Sequence, residues 1–322
     1  LAVDACELID VEYEPLLTVA SPQEALDHLE PRIHDYGEEG NIHKRVALSF
    51  GDVEEALEQA DHVFEDVYFY EGNTHLSLEQ HASLAAVDRD GKLTLWSSTQ
   101  TPHYVHRALQ KVLDIPAAHI RVVACPNGGG FGGKSDIFQH EMLVAKAAMV
   151  LGRPVKACLT RAEVFYCHRG RHPVLMHLRT GVKREGTLVG TDLQTLVDGG
   201  GYGSYGVASL FYTGALQTVT YHLPRYRFRG ARTFTNKPPC GPKRGHGTPQ
   251  PRFGQEIQLD ELAEAIDMDP AELRLRNLAQ PNSLTANYLK IGTIGQGECI
   301  RKATAAADWP NRFRKLPQGR GL

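Results

Sequence analysis

A glycine-rich stretch, residues 128–135, most constrains what this chain can fold into. It places five glycines in six residues, interrupted only by Phe131. A β-branched run at 120–124 precedes it and predicts a strand, and apolar residues at helical spacing over 136–151 predict a helix after it. Glycine permits φ > 0 and close approach to the backbone, and a helix N-terminus favours anions. We therefore expect this stretch, called the glycine loop, to hold an anionic ligand through backbone N–H groups.

Composition indicates a soluble globular protein with room for two domains. The chain has 322 residues, 42% hydrophobic and 23% charged, with a formal net charge of −3 that gives no reason to expect nucleic acid or a membrane as partner. Its six cysteines are widely spaced without CxxC or zinc spacing, so we expect reduced thiols in a cytoplasmic protein. Its 15 histidines form no HExxH motif.

Hairpins outnumber βαβ units, which favours an α+β class with mixed sheets, hairpins and packed helices. Two hairpins are predicted, 81–87 with 93–97 and 174–182 with 188–197. Further strands are predicted at 62–70, 120–124, 155–159 and 226–234, and helices at 52–60, 101–113, 249–266 and 270–278.

The two ends of the chain carry weaker patterns. Alternation over Cys6–Glu14 predicts a strand that ends at Pro15. Residues 16–45 are polar and are predicted to be a linker with little core, in which Ser21 caps a short helix through His28. The last 40 residues are predicted to be mainly loop.

The glycine loop also satisfies the phosphate-loop pattern G-x-x-x-x-G-K-S, from Gly128 to Ser135. That pattern alone predicts a nucleotide hydrolase, which stays the alternative function. Three features disfavour it: the inner residues are almost all glycine, the flanking chain is rich in hairpins, and Asp198 is only a weak candidate for the metal-binding acid.

Two other loops offer candidate functional residues. Residues 238–247, called the arginine loop, are stiffened by prolines and carry Arg244, which can grip an anion, and His246, which can donate, accept or stack. Residues 96–102, called the glutamine segment, place Gln100 just before a helix. The alternative for each residue is a role without function: Arg244 is a solvated loop arginine, His246 is a hydrogen-bonded surface histidine, and the amide of Gln100 only satisfies backbone groups.

Together these loops resemble the molybdenum hydroxylases, the xanthine dehydrogenase and aldehyde oxidase family. The ordered motifs are Ser98-Thr99-Gln100, 128–134, Gly152-Arg153-Pro154-Val155-Lys156, Arg169-Gly170-Arg171-His172-Pro173 and Arg244-Gly245-His246-Gly247. The stretches 212–216 and 235–241 are most similar to the 4-hydroxybenzoyl-CoA reductase branch of that family. The resemblance spans about residues 1–300 and implies the molybdopterin-binding domain fold.

The resemblance also implies site residues. Gln100, Gly130, Phe131, Gly132 and Arg244 would bind the molybdenum–molybdopterin cofactor. Gln100, Phe131 and Arg244 would lie nearest the metal, as side-chain or backbone contacts rather than as metal ligands.

Candidate substrate-binding residues are Ser135, His246 and Tyr212, with Tyr202 and Tyr205 as further pocket residues. Ser135 stands where purine enzymes of the family have Glu, and His246 where they have a stacking Phe, which argues against xanthine as substrate. The family's general-base Glu has no counterpart after residue 297, so no catalytic residue is assigned within this chain.

We therefore interpret the chain as a piece of a large subunit. The predicted division is 1–15 as the tail of a preceding hammerhead-like domain, 16–45 as a linker and 46–322 as an incomplete first molybdopterin-binding region. Expected partners are the rest of the large subunit, an iron–sulfur subunit, an FAD subunit and a small aromatic substrate. The cytosine dinucleotide form of the cofactor is one option. The expected reaction is hydroxylation with water or reductive dehydroxylation of an aromatic acyl-CoA, and the alternative is an inert cofactor-binding fragment.

Overall fold

The computed structural model describes residues 2–27, 30–167 and 169–314. Its strands, in chain order, are β1 (Ile42–Phe50), β2 (His62–Tyr70), β3 (Ala82–Val87), β4 (Leu93–Ser97), β5 (Ile120–Ala124), β6 (Val155–Cys158), β7 (Val174–Val182), β8 (Leu188–Asp198) and β9 (Tyr226–Thr233). Its α-helices are α1 (Ala2–Glu7), α2 (Pro22–Asp27), α3 (Val53–Glu58), α4 (Pro102–Leu113), α5 (Gln139–Leu151), α6 (Arg161–Cys167), α7 (Gly206–Ala215), α8 (Pro249–Ala265), α9 (Pro270–Arg276), α10 (Gln296–Ala306) and α11 (Trp309–Arg312).

The strands form two mixed sheets, which confirms the α+β prediction. The larger sheet has the order β1-β9-β8-β7-β2 and the smaller sheet β5-β4-β3-β6. Only the β8–β9 and β4–β5 pairs within these sheets are parallel. Both predicted hairpins form, as β3–β4 and β7–β8.

Each sheet buries one face against helices. In the larger sheet, Met176 and Leu178 of β7 are 1% and 2% exposed and share a core with Leu259 and Leu262 of α8. In the smaller sheet, Leu95 of β4 packs in a second core with side chains of α4 and α5. Burying each such side chain contributes about 1.5–3 kcal/mol. The glycine loop lies between β5 and α5, so the second core fixes both of its ends.

The strand predicted near the start of the chain was wrong, and the loop predicted near its end is correct only in part. Of the residues predicted as a strand over 6–14, the first two instead end α1, and residues 9–14 have no regular secondary structure; Leu8 is 86% and Tyr13 83% exposed. No strand lies beside this segment in the described residues to pair its backbone, so its alternating pattern has nothing to fold against. Near the other end, α10 and α11 occupy part of the region predicted to be loop.

The segment 16–45 contributes more buried residues than the sequence predicted. Val19, Ala25 and Asn41 are 1%, 0% and 0% exposed, and β1 begins inside the segment at Ile42. Ser21 Oγ does accept a hydrogen bond from Glu24 N, as predicted for a cap, while the predicted helix end at His28 lies outside the described residues. The domain boundaries stay predictions.

Candidate active site

The glycine loop packs against three other segments, residues 72–79, the glutamine segment and the arginine loop. A Cβ on Gly128 would lie 2.7 Å from Glu79 Cβ, and one on Gly130 would lie 2.5 Å from Gln100 Oε1. A Cβ on Gly132, where φ is +97°, would lie 2.5 Å from the carbonyl oxygen of Pro242. These glycines are therefore required for the loops to meet, in addition to any ligand contact.

Gln100 ties the glutamine segment to the glycine loop. Its side-chain Oε1 accepts hydrogen bonds from Gly132 N at 3.1 Å and Lys134 N at 3.2 Å. Its backbone N–H donates to the Lys134 carbonyl at 2.8 Å. The N–H of Gly132, expected to face a ligand, is thus engaged by Gln100 here. The side-chain nitrogen of Gln100 has no hydrogen-bond partner among the described residues and remains a donor for a ligand.

The helix after the glycine loop does not start where the sequence predicted. It begins at Gln139, and its first turn is capped from within, because Glu141 Oε2 accepts from Phe138 N at 2.9 Å. Glu141 Oε1 also accepts from Ser97 Oγ at 2.6 Å. A carboxyl group of the helix itself thus lies at this helix N-terminus, and the predicted contact of an anionic ligand with backbone N–H groups of the glycine loop stays a prediction.

Lys134 also departs from the phosphate-loop geometry. It is 2% exposed, and its Nζ lies 2.5 Å from Glu79 Oε2 and 2.7 Å from Ser98 Oγ. Asp198, the candidate metal-binding acid, accepts hydrogen bonds from Thr235 and Lys237 at 2.6 and 2.8 Å. With both charges engaged and the flanking sheet largely antiparallel, the nucleotide-hydrolase alternative is wrong.

Arg244 places positive charge beside the glycine loop. Its guanidinium carbon lies 4.7 Å from the centre of the Phe131 ring, and its backbone N–H donates to the Phe131 carbonyl at 2.9 Å. Its own carbonyl accepts from the Arg171 guanidinium. Burial, followed by repulsion from Arg171 and Arg244, lowers the pKa of Lys243. Within the described residues none of these three cations is in an ion pair with a carboxylate, so the site has excess positive charge.

A cavity of about 500 Å³ opens next to Gln100 and the arginine loop. Its lining residues are Gln100, Thr101, Pro102, His103, Tyr104, Ser135, Tyr205, Pro242 and His246. The structure thus brings Ser135, His246 and Tyr205 together as predicted pocket residues. Burial, with a smaller contribution from Arg171, lowers the pKa of His246, so its imidazole is neutral at pH 7.

The two remaining candidates lie outside that lining. The ring centre of Tyr212 is 5.9 Å from that of His246, so Tyr212 supports the cavity wall from behind. Tyr202 instead packs with His34, with ring centres 5.3 Å apart. His103 and Tyr104 were missed from the sequence, although their position in the first turn of the helix after Gln100 could have indicated them.

The residues present fit an anionic, bulky cofactor. Arg244, which has no carboxylate partner among the described residues, offers positive charge, and the side-chain amide of Gln100 offers a hydrogen-bond donor. The described part of the chain contains no group of three His, Cys, Asp or Glu side chains that could hold a metal ion. The cofactor would therefore have to bring its own metal ligands.

Comparison with known proteins agrees with this site. The model of the molybdopterin cofactor-binding domain matches residues 33–278, so the chain belongs to that domain family, that of the molybdenum-dependent xanthine dehydrogenases and aldehyde oxidases. The xanthine dehydrogenase molybdenum-binding subunit of Escherichia coli O157:H7 is 35% identical over 99% of this chain. The nicotinate dehydrogenase large molybdopterin subunit of Eubacterium barkeri is 33% identical over 95% of it.

The structural match is equally extensive. The aldehyde oxidoreductase of Desulfovibrio gigas superposes with a TM-score of 0.90 and 26% identity over 98% of this chain. The chain spans 42% of the Escherichia coli subunit, 72% of the Eubacterium subunit and 35% of the Desulfovibrio chain. No helix in the described residues is long and apolar enough to cross a membrane.

Proposed function

We propose that this chain is the molybdopterin-binding region of a molybdenum hydroxylase large subunit that acts on an aromatic or heteroaromatic ring. One observation carries the proposal: the Arg244 guanidinium, which has no carboxylate partner in the described part of the chain, lies over Phe131 at the glycine loop, beside the cavity that Gln100 and Ser135 line. Positive charge without a protein counter-ion next to a cavity suits an anionic cofactor with a substrate in front of it.

In this proposal the residues of the chain bind and position the cofactor. When bound, the molybdenum–pterin cofactor supplies the two-electron redox chemistry. Gln100 donates a hydrogen bond to it from its side-chain nitrogen and holds the glycine loop in place with its oxygen. Arg244 balances the cofactor's negative charge, and Gly130, Phe131 and Gly132 shape the surface on which it rests. We infer that the general base comes from a part of the enzyme other than this chain.

Ser135 and His246 would contact the substrate ring. The neutral imidazole of His246 and the hydroxyl of Ser135 can donate or accept hydrogen bonds, while no charged side chain lines the cavity among the described residues. The contact between the Tyr212 and His246 rings would set the position of the imidazole. This lining suits an uncharged aromatic ring. The proposed reaction is hydroxylation of that ring with water or, where the substrate is an aromatic acyl-CoA, its reductive dehydroxylation.

The proposed assembly follows from the same family. The electrons would pass to iron–sulfur and FAD groups on partner subunits, with the cofactor in its molybdopterin or cytosine dinucleotide form. The six cysteines are all free, as thiols in the cytoplasm would be.

Metal and pterin analysis tests the proposal. Protein purified from molybdate-supplied cells should contain close to one molybdenum and one pterin per chain, measured by elemental mass spectrometry and by pterin fluorescence after oxidation. Replacement of Arg244 by Met should lower both contents, whereas replacement of the exposed Arg153 by Met should not. Wild-type protein that folds but carries neither molybdenum nor pterin would refute the proposal.

A further inference from the structure

One of the ordered motifs, Arg169-Gly170-Arg171-His172-Pro173, has no task in the proposed function. It lies directly before β7, so the larger sheet fixes its end. Its Gly170 carbonyl accepts a hydrogen bond from Gly241 N at 2.9 Å. Its Arg171 N donates to the Asn73 carbonyl, also at 2.9 Å. The backbone of the motif is therefore held between the arginine loop and the segment that precedes β3.

The Arg171 side chain is buried and ends on the arginine loop. Arg171 is 6% exposed, and its guanidinium donates to the Arg244 carbonyl and, at 3.4 Å, to Gln250 Oε1. Burial lowers the pKa of Arg171, so holding this charge away from water costs free energy. The hydrogen bonds to Arg244 and Gln250 offset part of that cost, and the first of them ties the guanidinium directly to the loop.

The backbone of residue 244 is held on both sides. Arg244 N donates to the Phe131 carbonyl at 2.9 Å, and the Arg244 carbonyl accepts from Arg171. Gly245 follows with a φ of +76°, so the chain beside Arg244 has conformational freedom that these two hydrogen bonds restrict. The Arg244 guanidinium itself lies over the Phe131 ring. Arg171 thus fixes the backbone that carries the Arg244 charge without engaging that charge.

We propose that Arg171 is a positioning residue, which orients Arg244 toward the cofactor through the Arg244 carbonyl. The lining of the cavity beside Gln100 does not include Arg171, so Arg171 acts from behind the site. Replacing a group that orients a binding residue in this way commonly weakens binding by about tenfold or more. The inference rests on the proposed function and adds to its site a residue that touches neither cofactor nor substrate.

Arg252 is a matched control for Arg171. Its guanidinium donates to the carbonyls of Leu216 and Gln217 at 2.8 and 3.1 Å and to Gln255 Oε1 at 2.7 Å. Burial lowers the pKa of Arg252 as well. Arg252 therefore makes the same kinds of contact as Arg171, but at the end of α7 instead of at the arginine loop.

The test measures how fast molybdenum and pterin leave the purified holoenzyme during dialysis, by elemental mass spectrometry and pterin fluorescence. Arg171→Met should release both about tenfold faster than wild type. Arg252→Met should stay within about twofold of wild type, even where urea unfolding shows a similar loss of stability. Arg171→Lys keeps the charge and a donor for the Arg244 carbonyl, so it should recover most of the retention.

A double-variant cycle with Arg244→Met determines whether Arg171 acts through Arg244. Adding Arg171→Met to Arg244→Met should change the release rate by less than about twofold. Multiplying effects would overturn the inference, because they would show a contribution of Arg171 that is independent of Arg244. If Arg171→Met does not fold, Arg171→Gln takes its place in the same cycle.

Three further outcomes decide the matter. Equal acceleration in Arg252→Met, or no recovery in Arg171→Lys, would overturn the inference by showing a general loss of structure. A loaded wild type that releases the cofactor no more slowly than Arg171→Met would overturn the inference and leave the proposed function intact. Wild-type protein that folds but carries neither molybdenum nor pterin would refute both.

Discussion

Lys134 Nζ lies 2.5 Å from Glu79 Oε2, although Lys134 is the lysine of a literal phosphate-loop pattern. Ser98 Oγ donates to the same carboxylate oxygen at 2.8 Å, and so does the N–H of Gly128 at 2.8 Å. Burial alone would raise the pKa of Glu79, but the hydrogen bonds from Lys134, Ser98 and Gly128 lower it below its ordinary value. The Glu79 carboxylate therefore connects both ends of the glycine loop, and Lys134 binds this carboxylate instead of reaching a phosphate.

Replacing Lys134 by Met should destabilise this connection. Breaking a fully buried ion pair costs about 3–5 kcal/mol, and because Glu79 is 33% exposed we expect about 2 kcal/mol here. Urea unfolding followed by circular dichroism would measure the change. The control is Lys146→Met at an exposed position of α5, which should cost less than about 0.5 kcal/mol. Equal costs for the two variants would show that the Lys134–Glu79 pair contributes no stability.

Gly132→Ala should separate the glycine loop from the arginine loop. The new Cβ would collide with the Pro242 carbonyl in addition to the strain of a positive φ, which costs about 1–2 kcal/mol. The matched control is Gly91→Ala, whose φ is +78° and whose Cβ would meet nothing within 4 Å. We expect both variants to lose stability but only Gly132→Ala to lose pterin content, and loss of pterin in both would argue against a local effect.

Two substitutions of Gln100 should separate its two tasks. Gln100→Glu keeps acceptor oxygens for Gly132 N and Lys134 N but removes the amide donor and adds a negative charge, so it should retain stability and lose cofactor. Gln100→Leu removes both functions and should lose stability by about 1–3 kcal/mol as well as cofactor. Unfolding midpoints and molybdenum content, measured on the same samples, would check this. Full cofactor occupancy in Gln100→Glu would contradict the donor role.

Acid should weaken the fold partly through His140. Burial lowers the pKa of this 8% exposed residue from 6.5 to about 4. Between pH 6.5 and about 4 the unfolded chain binds a proton on His140 that the folded chain does not bind. The free energy of unfolding is therefore unaffected by this group above pH 6.5 and falls as the pH is lowered to about 4. The loss is on the order of 3 kcal/mol.

His140→Leu should therefore flatten the fall of the unfolding free energy over this pH range, as urea titrations at several pH values would show. Burial also lowers the pKa of His43 to about 4, so some acid sensitivity should remain. The exposed His119→Leu serves as control. Identical pH profiles for His140→Leu and wild type would contradict the assignment.

Local patterns were sufficient for most of the regular structure. The Val, Phe and Tyr residues of 62–70 and the turns of the two hairpins predicted β2, β3, β4 and β7 within about one residue, because β-branched and aromatic residues favour strands and turn residues mark their ends. α6 and α7 were missed because neither has a clear helical stripe; α7 buries Gly214 directly against Phe228 of β9. The strand predicted over 6–14 failed because alternation alone does not provide a pairing partner.

The sequence by itself predicted that an anionic ligand meets a glycine-rich backbone, and its ordered motifs identified the family. Only the tertiary structure decided how that backbone is used. The glycines admit Glu79, Gln100 and Pro242 from three distant segments, Lys134 turns inward, and Glu141 caps the helix that was expected to bind the anion. These relationships depend on which loops meet in space, and no local pattern of residue types encodes such contacts across tens of residues.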